Sequence, residues 1–462
     1  MTDSWSSAAP DLHLDWDPAT GRSGLADALR DAIRSGRLPP GATLPSTRAL
    51  AADLGVARGT VTRVYTDLAA EGYVRTAQGA PTRVASGVER PSSPPRSRPE
   101  KPVTRWTLQP GQPDLSAFPR TEWLAATRRV LQRTPATEFG YLEERGVAAL
   151  RAALARYLAR SRGVVADPDR IVVCGGHSHA TWLLATALAA RGDREIAFED
   201  PSLWAFRRIA EAAGARVTGV PVDADGLVTS ELDSPAVMVT PAHQFPLGVT
   251  LAPHRRGELA RWASTAGAFV IEDDYDGEFR FDREPVGALQ ALAPERIAYA
   301  GTASKTLAPG LRLGWLVLPR TLVEPVRAAM ADSGWRPPVL EQLVLAELLD
   351  SGGYDRHVRR CRGVYRSRRD RLLAALPEHL VPDGISAGLQ LVLMLPGDGP
   401  GEDAVLGAAR RHSLTVQPLG PHWVRPGPHP QGLVLGYGAP AEHAFQPTVR
   451  ALLATLADVN LA

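Results

Sequence analysis

The chain has 462 residues, more than a single hydrophobic core accommodates, so two or three domains are expected. Hydrophobic residues make up 44% and charged residues 22%, an ordinary globular balance, and a formal net charge of +2 says little by itself. Two cysteines, Cys174 and Cys361, make neither a disulfide framework nor a metal site of their own, no apolar run reaches the length of a membrane span, and the N-terminus lacks the basic and apolar regions of a signal peptide, so a cytoplasmic protein is expected.

Charge is uneven along the chain. Residues 22–90 carry ten arginines and six acids, a local excess of +4 that hints at a polyanionic partner. Residues 1–20 are polar and expected to fray, apart from Leu12, Leu14 and Trp16. Leu25, Leu29 and Ile33 share a helical face and predict a helix over Leu25–Ser35, ended by Gly36-Arg37-Leu38-Pro39-Pro40-Gly41. Ser46 is an N-cap for a helix carrying Leu50 and Leu54, and Gly55 permits a tight turn into a second helix, about Ala57–Glu71, with Val61, Val64 and Leu68 inward. Helix, glycine turn, helix is the helix-turn-helix layout. The outward face of the second helix is expected to carry Arg58, Thr60, Thr62, Arg63 and Tyr65. Val74–Ala77 and Thr82–Ala85 flank Gln78-Gly79-Ala80-Pro81 as a hairpin wing.

The run Leu44-Pro45-Ser46-Thr47-Arg48-x-Leu50-Ala51-x-x-Leu54-Gly55-Val56-x-Arg58-x-Thr60-Val61, followed by Tyr65-x-x-Leu68-x-x-Glu71-Gly72, resembles the winged helix-turn-helix of GntR-type bacterial regulators. The resemblance implies a DNA-binding domain over 20–86 that binds double-stranded operator DNA, with Ser46, Arg48, Arg58, Thr60 and Arg63 at the DNA. Residues 87–104, rich in proline, serine and arginine, read as a flexible linker.

From residue 105 to 462 the pattern is α/β. Helical runs around 121–133 and 146–160 precede a strand at Ile171–Cys174. Short apolar strands then alternate with helices: Glu195–Phe198, Ala215–Val220, Ala236–Thr240, Ala268–Glu272, Arg296–Gly301 and Leu313–Leu318. The alternation predicts a mainly parallel sheet covered by helices. A long arginine-rich helix (353–376), a strand near 390–395 and a last strand at 433–437 predict a smaller α+β lobe.

Of 52 lysine and arginine residues only two are lysines, Lys101 in the linker and Lys305 in Thr302-Ala303-Ser304-Lys305-Thr306. Arginine serves for ion pairs and anion clamps, but it has no primary amine able to condense with a carbonyl. Lys305 is therefore the candidate to hold an aldehyde cofactor, above all pyridoxal 5′-phosphate (PLP). Thr302, Ser304 and Arg312 place anion ligands nearby in sequence. Gly175-Gly176-His177-Ser178-His179 follows a strand and opens a helix, a second anion-binding arrangement. In Glu272-Asp273-Asp274-Tyr275-Asp276, at a strand end, Asp273 suits a protonated ring nitrogen, while Asp274 and Asp276 read as an acidic surface turn.

Together these parts resemble the PLP-dependent aminotransferases of fold type I, from about Trp106 to the end. The resemblance implies that Lys305 carries the cofactor, that Asp273 meets the pyridine nitrogen and that Tyr275 meets the ring's phenolic oxygen. It assigns Arg312, Thr302, Gly176, His177 and Ser178 to the phosphate, Trp204 to stacking on the ring, and Tyr141 to the phosphate of the partner subunit. Thr240–Gly248 lies where such enzymes have an Asn-Pro-x-Gly element. The fusion resembles the MocR/GabR-type subfamily of GntR regulators. Its marks here include Pro110-Gly111-x-Pro113-Asp114, Phe118-Pro119-Arg120-x-x-Trp123 and His243-Gln244-Phe245-Pro246. That implies a homodimer, paired head to tail in the structurally known type, in which PLP, with or without a small-molecule effector, controls operator binding.

One departure stands out. The last strand, Leu433-Val434-Leu435-Gly436-Tyr437, has Val434 where many aminotransferases carry the arginine that grips the substrate carboxylate, and Arg425 lies in a nearby loop. Without a guanidinium fork the bidentate partner is missing. The expectation is a regulator with weak or absent transaminase activity; the alternative is an active aminotransferase with an accessory DNA-binding domain.

Overall fold

The computed structural model describes residues 14, 16–77, 80–85, 104–141, 143–281, 286–380, 382 and 384–461. The linker expected at 87–104 lies, except for its last residue, outside the described residues, as do Leu12 and the Gln78-Gly79 tip of the wing. The chain divides into two compact units, residues 1–102 and 103–462.

In the first unit, α1 (Gly21–Arg34), α2 (Thr47–Asp53) and α3 (Arg58–Ala70) precede a short antiparallel hairpin of β1 (Val74–Arg75) and β2 (Arg83–Val84). Helix α1 starts four residues before the predicted Leu25, because its Gly- and Ser-containing first turn carries no apolar signal. Leu25, Leu29, Ile33, Leu50, Val61, Val64 and Leu68 form one core, against which Leu14 and Trp16 pack. Ser46 caps α2 by accepting from the Ala49 N–H at 3.1 Å. Tyr65 departs from its expected outward position. It is buried, and its hydroxyl donates to the Pro45 carbonyl at 2.9 Å, tying α3 to the entry of α2.

The second unit runs, in order, through β3 (Trp106–Thr107), α4 (Arg120–Arg133), α5 (Ala148–Arg162), β4 (Ile171–Cys174), α6 (His177–Ala190), β5 (Glu195–Asp200) and α7 (Trp204–Ala212). It continues with β6 (Arg216–Asp223), β7 (Gly226–Leu227), β8 (Ala236–Val239), α8 (Pro253–Ala266), β9 (Phe269–Asp274), β10 (Ile297–Thr302) and β11 (Gly314–Val317). Then come α9 (Arg320–Asp332), α10 (Val339–Asp350), α11 (Gly353–Ala375), β12 (Gln390–Met394), α12 (Glu402–Arg411), β13 (Leu414–Thr415), β14 (Gln417–Pro418), β15 (Gly432–Gly436) and α13 (Glu442–Ala457).

Strands β4 to β11 make one eight-stranded sheet in the order β4-β11-β10-β9-β8-β5-β6-β7. The central strands β10, β9, β8, β5 and β6 are mutually parallel, and β11 runs against β10 and β4. The smaller lobe is built on an antiparallel sheet, β12-β15-β14. Apolar clusters cover the main sheet, including Leu150, Leu154 and Tyr299 in one and Leu184, Phe198 and Ile271 in another.

This double cover corrects the expectation for Asp274. Its carboxylate is 2% exposed and pairs with Arg162 of α5 at 2.7 Å. Tyr299 of β10 also donates to it at 2.7 Å. Removing one partner strands a buried charge. Asp274→Ala is therefore expected to lose about 3–5 kcal/mol of stability in denaturant titration; a loss below about 1 kcal/mol would contradict this burial.

Candidate functional site

The first unit has charge on two sides, and only one side is neutralised. Behind α3, Arg30 grips both carboxylate oxygens of Glu71 at 2.7 and 2.6 Å, and Arg22 lies 3.9 Å from Asp67. On the other side Arg48, Arg58 and Arg63 are exposed, and among the described residues none has an acidic partner. Arg58 reaches only the Thr47 hydroxyl, at 3.5 Å. Thr60 is half-buried beside them, and the Ser46 hydroxyl, its oxygen used as the cap, keeps a proton to donate. Exposed cations left unpaired at the N-terminal half of a second helix suit a phosphate backbone and a major groove.

In the second unit a cavity of about 300 Å³ opens at the carboxyl ends of the parallel strands, where α/β sheets place ligands. Lys305, Asp273, Tyr275, Arg312, Thr302, His177 and Ser178 all line it. They come from separate segments: the strand ends of β9 and β10, the loop after β10, and the first turn of α6. Gly176 holds φ at +85° as the residue before α6. A Cβ there would stand 3.7 Å from Ser304 Oγ, 3.7 Å from Thr302 Oγ1 and 3.9 Å from Arg312. These groups thus surround one small space beside the helix N-terminus, whose first-turn N–H groups have no helical carbonyl. Among the described residues the Arg312 backbone N–H donates to the Pro309 carbonyl at 3.2 Å, but its guanidinium has no hydrogen bond or ion pair, which leaves it available to an anion.

Lys305 stands farther in. Its amine donates to the Gly111 carbonyl, and a Cβ on Gly111 would come within 3.1 Å of Nζ. Burial holds this amine below its ordinary pKa, with Asp273 and Asp276 opposing. Asp273 Oδ1 is buried without a hydrogen bond; His177 Nε2 lies 3.0 Å away but not in bonding alignment, and it too is unpartnered. The Tyr275 phenol is buried and accepts from Gln390 Nε2 at 2.7 Å; burial pushes it well above its usual value.

Several expected positions read differently in the structure. His177 contributes its backbone to the helix terminus, but its side chain turns to Asp273. Trp204 does not line the cavity: it is 36% exposed, under the Arg208 guanidinium, and Leu203 and Phe206 line the cavity instead. Asp276, expected at the surface, is 2% exposed and bonds His243 Nδ1 at 2.8 Å. Tyr141 is fully exposed and outside the cavity.

Sequence reasoning missed Glu199 and Gln417, which sit in no recognisable spacing, and the Gly111 carbonyl, whose motif gives no sign that it meets Lys305. Glu199 lines the cavity and accepts from the Thr240 N–H at 3.1 Å and from Gln244 at 3.3 Å. Burial nevertheless pushes its carboxyl from 4.5 to about 7. The folded protein therefore holds a proton that the unfolded chain has lost, so stability falls as pH rises from 4.5 to about 7, with the cost complete above that. Glu199→Gln is expected to raise the thermal midpoint at pH 8, by up to about 3 kcal/mol of stability, and to leave it unchanged near pH 4. An equal effect at both pH values would contradict the assignment.

Val434 is fully buried among Phe245, Tyr275, Val392 and Leu419 and offers the cavity no cation. Arg425 does not replace it: its guanidinium bonds the Gly219 carbonyl at 3.0 Å and Glu231 at 2.7 Å.

Residues 22–84 match the family model described as bacterial regulatory proteins, gntR family, and residues 108–396 match that of aminotransferase class I and II. The chain is 33% identical over 444 residues to the HTH-type pyridoxine biosynthesis transcriptional regulator PdxR of Corynebacterium glutamicum, covering 94% of each. It is 33% identical over 442 residues to the probable rhizopine catabolism regulatory protein MocR of Rhizobium meliloti, covering 89% of each. Among solved structures, an archaeal alanine:glyoxylate aminotransferase superposes with a TM-score of 0.69 and 25% identity, over 76% of this chain and 90% of that one. Fold and sites thus define a DNA-binding transcriptional regulator whose second unit has aminotransferase architecture. The chain belongs to the MocR-type regulators of the GntR family. Among the described residues no helix is long and apolar enough to cross a membrane.

Proposed function

We propose that PLP, held covalently by Lys305, occupies the cavity of the second unit and controls operator binding by the first. The observation that carries this is one cavity with an amine whose basicity burial lowers, an orphaned buried carboxylate oxygen and an unpaired guanidinium at separate points of its wall. When bound, PLP supplies an aldehyde, a ring nitrogen, a phenolic oxygen and a phosphate, and each finds a complementary group here. Lys305 supplies the amine, and Asp273 Oδ1 accepts from the protonated ring nitrogen. Tyr275 donates to the phenolic oxygen. Arg312, Thr302, Ser178 and the Gly176–His177 backbone hold the phosphate. The protein acts as a cytoplasmic homodimer, paired head to tail, and exposed Tyr141 completes the partner's phosphate site.

Val434 and the already paired Arg425 bear on the signal. With neither Val434 nor Arg425 offering a free guanidinium, an α-amino acid loses the usual carboxylate clamp, so PLP itself is the better signal than an amino acid. A relative named for control of pyridoxine biosynthesis accords with that. The rival reading, a working aminotransferase, requires a carboxylate clamp that neither Val434 nor the paired Arg425 supplies. Mixing the PLP-loaded protein with a panel of amino acids at millimolar concentration is expected to leave its visible spectrum unchanged. Conversion of the cofactor to its amine form within seconds would favour the enzyme.

A further inference from the structure

Behind Tyr275 lies a hydrogen-bonded group that the cofactor roles above do not use. His243 and Asp276, 3% and 2% exposed, face each other with Nδ1 2.8 Å from Oδ2. The backbone is fitted closely around them. Gly388 holds φ at +78°, and a Cβ there would fall 2.3 Å from His243 Cε1 and 2.6 Å from Asp276 Oδ2. The Tyr275 hydroxyl lies 3.1 Å from the same Nδ1, 3.2 Å from the His243 carbonyl and 2.7 Å from Gln390 Nε2.

These distances determine where protons sit. An ionised carboxylate only accepts, so the bond to Asp276 requires the proton on His243 Nδ1. A protonated Nδ1 cannot accept from the phenol. Gln390 gives the phenol a hydrogen bond and takes none. The phenolic proton then has the His243 carbonyl, at the longest of these distances, the neighbouring Asp276 carboxylate, or a ligand in the cavity that Tyr275 lines.

We propose that the His243–Asp276 pair is a positioning device that keeps the Tyr275 proton turned toward the cavity, as a donor to the phenolic oxygen of the bound cofactor. This rests on the PLP reading above. Asp276 sets the tautomer, the tautomer removes Nδ1 as an acceptor for the phenol, and a cofactor oxygen in the cavity then competes only with the long bond to the His243 carbonyl and with Asp276 itself. Neither His243 nor Asp276 needs to touch the cofactor. The other charged groups sharing the cavity with the phenol are Asp273, Glu199, Lys305, His177 and Arg312.

The consequence has a sign. A donor at the phenolic oxygen draws charge from the conjugated system and lowers its affinity for a proton. Losing that donor moves the pH midpoint of the lysine-linked cofactor's visible absorption upward. Losing a nearby negative charge, acting only through space, moves it downward. Asp276→Asn separates the two. An amide at 276 offers an N–H as well as an oxygen, so Nδ1 is no longer held protonated and can accept from Tyr275. The expected result is an upward shift of about one pH unit, the size of one hydrogen bond. Tyr275→Phe is expected to shift the midpoint the same way, and Asp276→Asn added to Tyr275→Phe to produce no further rise.

The experiment is an absorbance titration of PLP-loaded wild type, Asp276→Asn, Tyr275→Phe and the double variant. Alongside it, ¹⁵N spectra of histidine-labelled wild type are recorded before and after PLP is added, with the His243 signal assigned by its loss in His243→Gln. A proton on Nδ1 and the upward, non-additive shift support the device. A downward shift that persists in the Tyr275→Phe background overturns it, as does a His243 ring protonated only at Nε2. The nitrogen spectrum decides even where Asp276→Asn fails to fold. If wild type forms no visible band with PLP, the cofactor reading itself falls, and the device loses its target with it. A wild-type band with the wrong tautomer removes the device alone.

Discussion

Lys305→Ala is expected to abolish the covalent link between the protein and PLP, leaving no visible absorption band and no borohydride-trapped adduct. The effect is all-or-none because no other lysine is available in the second unit; Lys101 is the chain's only other one. Lys305→Arg should fail equally, since a guanidinium keeps the charge but does not form the link. Lys101→Ala is the matching control and should retain the band. Cofactor trapped on any residue but Lys305 would sink the assignment. Both Lys305 variants should still fold, because the amine contacts a carbonyl and open cavity rather than core.

The second large effect belongs to the first unit. Arg58→Ala and Arg63→Ala are each expected to cost about 1–3 kcal/mol of operator affinity and to reduce discrimination against random DNA, as loss of a base contact does. Arg48→Ala should weaken all sequences alike and flatten the salt dependence by about one unit of slope, as loss of one phosphate contact does. All three arginines are exposed and lack acidic partners among the described residues, so their removal is expected to leave the fold intact. Arg30→Ala, which breaks the pair with Glu71 behind α3, should lower stability while leaving the salt slope unchanged. Wild-type gel-shift titrations for Arg48→Ala, Arg58→Ala and Arg63→Ala together would rule out this face.

How far the sequence could be read followed local physics. Lys305 stands out in a chain that writes almost all its cations as arginine, and the fold places it on the cavity wall. Asp273 was legible as a carboxylate at a strand end. Asp274 was not, since strand alternation sends it to the opposite face from Asp273 and Tyr275, and only the fold shows that α5 covers that face with Arg162. Tyr65 was placed outward although it lies four residues from Val61, on the same helical face; its hydroxyl needed a partner, Pro45, that no periodicity reveals. The resemblance puts Trp204 on the ring, whereas the start of α7 turns Phe206 into the cavity and leaves Trp204 outside. His243 and Asp276 sit 33 residues apart, on separate loops, so their pairing is a property of the fold alone.

The central claim is that cofactor held in the second unit changes how the first unit binds DNA. Duplexes selected from a random pool by the PLP-loaded protein supply the probe. Their dissociation constant is then measured for wild type with and without PLP, and for Lys305→Ala with PLP. The account predicts a change of about tenfold or more between loaded and unloaded wild type, a coupling of about 1.4 kcal/mol, with Lys305→Ala behaving as unloaded protein. Equal affinity in all three samples would contradict it.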